Sequence, residues 1–582
     1  MTRLNQHSSL LLFLSFWLTS ASDVHAQQTL VQRESARVET IGRISPSVVC
    51  VMAPNGEGGG SGVLISADGF AISNFHVTSG SGSFMKCGLD NSKLYDAVIV
   101  GIDPTGDVAL IQLQGRTDFS AAQPGDSDQV RVGDEVMALG NPFLLASDFT
   151  PTVTYGIVSG VRRYQYPANT FLEYTDCIQI DASINPGNSG GPLFDIQGRW
   201  IGINGRASFE KRGRVNSGAA YAISVNQVQL FIEHLKCGLI VDHGVPEFTV
   251  ETVEGEVVVS QVSELSEAWR RGLRARAQIV SFAGRLVSSA NDFQNVLGIY
   301  PEGTRLPLTW RDKEGVHSAT IRLRPLHDFQ KAPELPEERK PKDEKHPETP
   351  DDQKQKFEAP EELPKELTRL FVERDGFCNY HFNEVQQSKL LDPMRARIGA
   401  KGDPKNVWQI SLASSGSETK EAKTPPIPLT GELTIGPTAA GLKLDGVPYL
   451  QNAENPVAAE EPAQLPGLLT AVLQLRKLLS GEKAAFNEQL AMGQTLHLPL
   501  QQQVRILVTR EGARTSRWYF TSESPFPVGV DVEYGQGIDE TRLVFENWQE
   551  SENAVFPGRI GIVAGVQEQL IWLTMGEVKV KQ

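Results

Sequence analysis

The stretch INPGNSGGPL, Ile184 to Leu193, sets a single serine, Ser189, among three glycines. A serine hydroxyl is a weak nucleophile at neutral pH. It becomes effective when a histidine can take its proton and a carboxylate can orient that histidine and stabilise its cation. Of the ten histidines, His76 stands out, because it closes an expected strand in AISNFHVTS just after the hairpin signal Ala67-Asp68-Gly69. Asp107 directly precedes the alternating run VALIQL, Val108 to Leu113, and is the candidate acid; Asp103, followed by Pro104, reads as a turn former. The chemistry open to this set is acyl transfer, in which backbone N–H groups must also point at the developing oxyanion. Glycine at 187 frees the chain to aim the N–H groups of Gly187 and Ser189 at one point.

Two enzyme classes compete for such a serine. G-N-S-G-G also fits the G-x-S-x-G nucleophile elbow of α/β-hydrolases, where the order is serine, acid, histidine and a helix follows the elbow. Here the order is His76, Asp107, Ser189, and GGPLFDIQGRWIGI after the serine reads as a hairpin with proline where a helix would start. That is the order of the two-barrel serine proteases.

The elements needed to hold these residues are short. From about Val48 to Ile240, apolar runs alternate with Gly, Asp-Gly and Asn turns, a pattern of small β-barrels, and the length suits two of them. Several segments, in order, then carry a resemblance: GGGSGVLISADGFAISNFHV, DPTGDVALIQL, ALGNPF, TVTYGIVSG, IQIDASINPGNSGGPLFDIQGRWIGING and AAYAISVN. Together, over about Pro46 to Ile240, they closely resemble the HtrA/Deg family of trypsin-fold serine proteases. The resemblance implies His76 as general base, Asp107 as its partner and Ser189 as nucleophile. It also implies an ATP-independent endopeptidase acting on unfolded or damaged exported proteins, commonly as a trimer, with no cofactor. Trypsin-like cleavage after Lys or Arg would need Asp where this chain has Ser183; the resemblance implies Ile184 and Ala219-Ala220 as apolar lining, so cleavage after apolar residues is expected. The segment Tyr164 to Glu173 falls where the family keeps a mobile regulatory loop.

The fold expected is mainly β: a trypsin-like double barrel over 46–240, a PDZ-like α+β domain over 245–326 and a β-rich C-terminal domain over 367–582. The middle module resembles a PDZ domain through VVVSQV, SEAWRRGL, IVSFAGR and DFQNVL, which implies capture of C-terminal peptides on a sheet edge. The family's Gly-Leu-x-x-Gly-Asp is here Gly272-Leu273-Arg274-Ala275-Arg276-Ala277, so that turn is expected to differ. Between 327 and 366 the chain is rich in Pro, Glu and Lys and too poor in apolar residues to form a core, and it reads as a linker that lets the last domain sample positions away from the protease.

In that last domain LLTAVLQLRKLL, Leu468 to Leu479, reads as a helix, and VRILVTR, SRWYFTS, VGVDVEY, TRLVFENW, GRIGIVAG and QLIWLTM read as strands. The succession resembles the curved sheets of lipoprotein-sorting-like domains, and Trp518, Tyr519, Trp548 and Trp572 read as core or sheet-face aromatics. Residues 1–26, with Arg3 ahead of LLLFLSFWL and small residues near Ala26, read as a signal peptide, and 27–45 as an N-terminal segment. An exported protein, periplasmic, envelope-bound or secreted, is therefore expected. The formal net charge of −15 argues against nucleic acid as a partner. The five cysteines are scattered singly, and Cys378 and His381 make only a lone C-x-x-H, so no metal site is expected. The competing reading is a non-enzymatic chaperone or peptide-binding scaffold on the same fold.

Overall fold

The computed structural model describes residues 30–55, 59–141, 148–165, 172–209, 216–333, 363–403, 405–417, 429–452, 465, 467–551, 553–564 and 569–581. The signal-peptide reading, most of the linker and the centre of the expected regulatory loop lie outside them. A helix over 30–44 leads into two barrels. Six strands close the first: β1 (Val48–Met52), β2 (Gly60–Leu64), β3 (Phe70–Ser73), β4 (Phe84–Leu89), β5 (Lys93–Asp103) and β6 (Val108–Leu113), in the order β1-β2-β3-β6-β5-β4. After the two-residue β7 (Gln123–Pro124) come β8 (Glu135–Gly140), β9 (Thr152–Gln165), β10 (Tyr174–Ile180), β11 (Pro192–Asp195), β12 (Arg199–Phe209) and β13 (Asn216–Ser224). Pairing of β11 with both β8 and β12 closes these last six into a second barrel, with β7 parallel on β12. Each barrel is filled from within by β-branched and aliphatic side chains, such as Val49, Leu64 and Ile111 in the first and Val136, Ile178 and Leu193 in the second, all buried. Burial of each such side chain contributes roughly 1.5–3 kcal/mol.

Beyond the helix Val225–Leu235, the strands Phe248–Val253, Glu256–Val262, Gln278–Phe282, Arg305–Asp312 and Gly315–Arg322 form an antiparallel sheet in that order. The helix Ala290–Leu297 supports it, capped by Ser289, whose side chain accepts from Asp292 N. The turn after Leu273 forms without the glycine. Arg276 adopts φ +70°, the left-handed conformation a glycine would favour, and the turn closes through Arg276 N to Val259 O at 2.8 Å. The arginine bears the strain of that conformation, roughly 1–2 kcal/mol for an L residue.

The C-terminal region is one antiparallel sheet of twelve strands, running from Val447–Asn452 at one edge to Glu488–His497 at the other. Its helix Leu468–Leu479 is buried on every face but that of Lys477, and it touches both Ala439–Leu444 and Thr541–Glu550, strands well separated in the sheet order. A sheet that reaches one helix from two such strands must curl around it. Trp518, Tyr519 and Trp572 are buried.

The freely sampling tail expected from the linker composition is not what the structure shows. The C-terminal region shares an apolar core with the barrels, in which Phe231 and Leu235 pack with Phe382 and Leu390. Asn379 Nδ2 donates to Ile99 O at 2.8 Å and Asn383 Nδ2 to Cys237 O at 2.8 Å. Toward the middle module it presents Asp531 and Glu540 to Arg322 and Arg305, all four side chains at least nine-tenths buried. Linker composition says nothing about what the domain beyond it binds, and apolar burial decided the outcome.

Candidate active site

His76 does not close a strand as its sequence pattern implied. Strand β3 ends at Ser73, and His76 lies on the one-turn helix Phe75–Thr78. Two bonds to the carbonyl of Asp107 turn the chain there, from Asn74 Nδ2 at 2.8 Å and from Phe75 N at 3.3 Å. The same aspartate holds the imidazole: His76 Nδ1 lies 2.7 Å from Asp107 Oδ2, and the His76 amide donates to Oδ1 at 2.9 Å. A carboxylate can only accept, so Nδ1 carries the proton and Nε2 is left as the base. The Asp107 side chain is fully buried, whereas that of His76 is 32% exposed. Asp107 itself has φ +59°, a left-handed residue between β5 and β6.

The serine lies on a tight turn between β10 and β11, pressed against the segment that carries the histidine. Ser61 N donates to Ser189 O at 2.9 Å, and Ser61 Oγ donates to Gly187 O at 2.7 Å. These bonds fix two carbonyls of the turn against Ser61 on β2. Asn188 N, Gly190 N and Gly191 N are all spent on backbone carbonyls. Among the described residues, the N–H groups of Gly187 and Ser189 donate to none. Gly187 has φ +100°, and a Cβ on Gly190 would stand 2.2 Å from Ser61 O, so the turn needs glycine at both places. The Ser189 hydroxyl donates to Gly205 O at 3.3 Å.

Of the pocket candidates, Ile184 is buried with Ala182 and Ala220 in the core of the second barrel, while Ser183 is exposed and its carbonyl accepts from Thr154 Oγ1 at 2.9 Å. Ala219 is half-buried on β13. Asp103, read as a turn former, accepts from Gly106 N at 2.8 Å and also from a histidine, His243. All five cysteines are free thiols; burial pushes Cys50 up to about 11 and Cys237 and Cys378 up to about 12, so none is a thiolate nucleophile at neutral pH. The described residues hold no group of three His, Cys, Asp or Glu fit for a metal ion.

Residues 60–203 match the model of the trypsin-like peptidase domain family. The periplasmic serine endoprotease DegP of Escherichia coli K12 is 37% identical over 263 residues, 43% of this chain and 53% of its own. A probable periplasmic serine endoprotease DegP-like protein of Chlamydia trachomatis is 33% identical over 261 residues, 43% of this chain and 50% of its own. The chain is a homologue of the HtrA/DegP trypsin-like serine proteases. It spans about half the length of the curated relatives it matches. Among solved structures, the HtrA-type protease AlgW with tripeptide aligns over 50% of this chain and 96% of its own, at 28% identity and a TM-score of 0.42.

In this HtrA/DegP homologue two further residues touch the site that sequence reasoning passed over. Tyr174, at the start of β10, donates its hydroxyl to Asp107 Oδ2. Its ring reaches there by lying on Gly205, where a Cβ would come within 2.6 Å of Tyr174 Cε1. A lone tyrosine and a lone glycine carry no spacing signal, so only the fold reveals them.

Proposed function

We propose that the chain is an exported, ATP-independent serine endopeptidase of the HtrA/Deg type that cleaves unfolded or damaged proteins. His76 is the general base, Asp107 its orienting partner and Ser189 the nucleophile, with the N–H groups of Gly187 and Ser189 as the oxyanion site. The observation that carries this reading is the 2.7 Å contact of His76 Nδ1 with a wholly buried Asp107, which puts the ring proton on Nδ1 and makes Nε2 the basic nitrogen. Acid and base are thereby sorted before substrate arrives. The two unspent N–H groups are where an oxyanion would be received, and loss of one such donor costs about a hundred- to a thousandfold in turnover.

Ser183, Ile184 and Ala219 are proposed as the specificity pocket, favouring apolar residues before the cut. Strand Phe248–Val253 is an edge strand with helix Ala290–Leu297 beside it, and Ala290 N donates to Thr252 Oγ1 at 2.9 Å. That edge supports capture of a peptide C-terminus. The periplasmic relatives support a periplasmic location, and a homotrimer is proposed with it. The test digests a denatured exported protein with the wild type and with Ser189→Ala and maps the cuts. Cuts after aliphatic residues, absent in the variant, are expected; cuts that persist in the variant would falsify the mechanism. One observation favours a non-cutting scaffold, the Ser189 hydroxyl turned to Gly205 O. A wild type that prevents aggregation yet cleaves nothing would decide for it.

A further inference from the structure

A second histidine–aspartate pair hangs on the turn that carries Asp107. Strand β5 ends at Asp103 and β6 begins at Val108, so Asp103 and Asp107 stand at the two ends of one tight turn. His243 Nε2 lies 3.0 Å from each carboxylate oxygen of Asp103. Both side chains are buried, His243 at 3% exposure and Asp103 at 0%. The imidazole also packs on the Phe231 ring, with centroids 4.8 Å apart. Burial pulls this imidazole down, but Asp103, then Glu173 and Asp242, outweigh it and hold its pKa above the ordinary value.

His243 belongs to a strap fixed from both sides. On the protease side, Ile102 N donates to Leu239 O at 3.0 Å and Val241 N to Ile102 O at 2.8 Å. On the other side the PDZ-like module grips it: Gly244 N donates to Tyr300 O at 3.1 Å, Leu326 N to His243 O at 3.0 Å and Glu302 N to Asp242 O at 3.0 Å. The imidazole thus has almost no freedom to follow Asp103 if the turn moves.

We propose that His243 is a positioning residue for Asp107: by clamping both oxygens of Asp103 from the strap, it fixes the turn that presents Asp107 to His76. This rests on the protease reading of the site. Asp107 carries a left-handed backbone, holds His76 with both carboxylate oxygens and accepts at its carbonyl from Asn74 Nδ2 and Phe75 N, so a turn free to relax would release that arrangement first. Misplacement of a catalytic partner by about 1 Å can cost on the order of a hundredfold in rate.

The test uses the full chain, an unfolded protein substrate, and diisopropyl fluorophosphate as a label of Ser189. His243→Phe keeps the ring and removes the donor; it should lower kcat and the labelling rate about 10- to 100-fold, with KM little changed. His243→Gln retains an N–H toward Asp103 and should restore most of that loss. Asp103→Asn keeps the volume and the acceptor for Gly106, weakens the clamp, and should fall between the two. If His243→Phe does not fold, Asp103→Asn against His243→Gln still decides. A folded His243→Phe or Asp103→Asn with wild-type kcat and labelling overturns the proposal and leaves the protease reading intact. A loss that His243→Gln fails to restore overturns it too. A wild type that takes no label at Ser189 overturns both.

Discussion

Two histidine–aspartate pairs share one turn, yet their surroundings differ. In the first, Asp107 is sealed and His76 is 32% exposed, so the imidazole can trade a proton with whatever enters. In the second, His243 and Asp103 are both sealed, and the imidazole touches only protein. The contact geometry is similar; access separates a group suited to chemistry from a group suited to holding a turn. The largest test of that contrast is on turnover. Ser189→Ala should lose about a millionfold in kcat, and Asp107→Asn about ten-thousandfold through the wrong tautomer. Active-site labelling and single-turnover cleavage read both, and a small loss for Asp107→Asn would break the distinction.

Stability should rank the pairs in the opposite order. His243→Ala leaves the buried Asp103 carboxylate without its imidazole donor and should cost about 3–5 kcal/mol. His76→Ala leaves Asp107 still bonded to the amide of residue 76 and to Tyr174, and should cost about 1 kcal/mol. Urea unfolding of the two variants checks this; equal losses would count against it.

Buried histidines whose burial outweighs the nearby carboxylates sharpen the contrast further. Burial pulls His234, bonded to Gln494 O at 3.1 Å, and His497 down to about 4. The unfolded chain protonates these groups near pH 6.5 and the folded chain near 4, so the stability they contribute is whole above pH 6.5 and drains away as pH falls toward 4. Glu302, pushed up to about 7 by burial and by Asp242, works in the reverse sense between pH 7 and 4.5. The net expectation is a loss of about 3 kcal/mol between pH 7 and 4 from these three groups. Because His234 and His497 both meet the C-terminal sheet or its seam, hydrogen exchange should show that region opening first. His243, raised rather than lowered, should lose none of its own contribution on the same descent.

The smallest effect concerns the strained turn. Arg276→Gly removes a left-handed arginine with an exposed side chain and should stabilise the middle module by about 1 kcal/mol, read as a rise in its melting temperature.

The two-barrel half was readable because its turns and strands obey local rules. The hairpin around Asp68-Gly69, the alternation of VALIQL and the glycines beside Ser189 each follow from a short-range steric or hydrogen-bonding demand, and β2–β3, β6 and the serine turn appear where they were expected. The helix Leu468–Leu479 was equally plain from its apolar run. What escaped depends on contacts between distant residues. Helix Tyr380–Ile398 carries Pro393 inside it and has no strong apolar stripe, and it forms because Phe382, Leu390, Leu391 and Met394 find a shared core with the barrels. Tyr174 and His243 gain meaning only from an aspartate brought to them by the fold.

The seam between the middle module and the C-terminal sheet has one more implication. Glu267, Arg305 and Arg322 meet Asp531 and Glu540 where water scarcely reaches, and the arginines hold Glu540 well below the usual carboxylate range despite its burial. Dissolved ions screen charges they can surround, not charges walled in by side chains. Added salt should therefore loosen the rim contact of Arg270 with half-exposed Asp539 while the inner arginines keep their grip. A brine wash would fray this join at its margin and leave the two modules married.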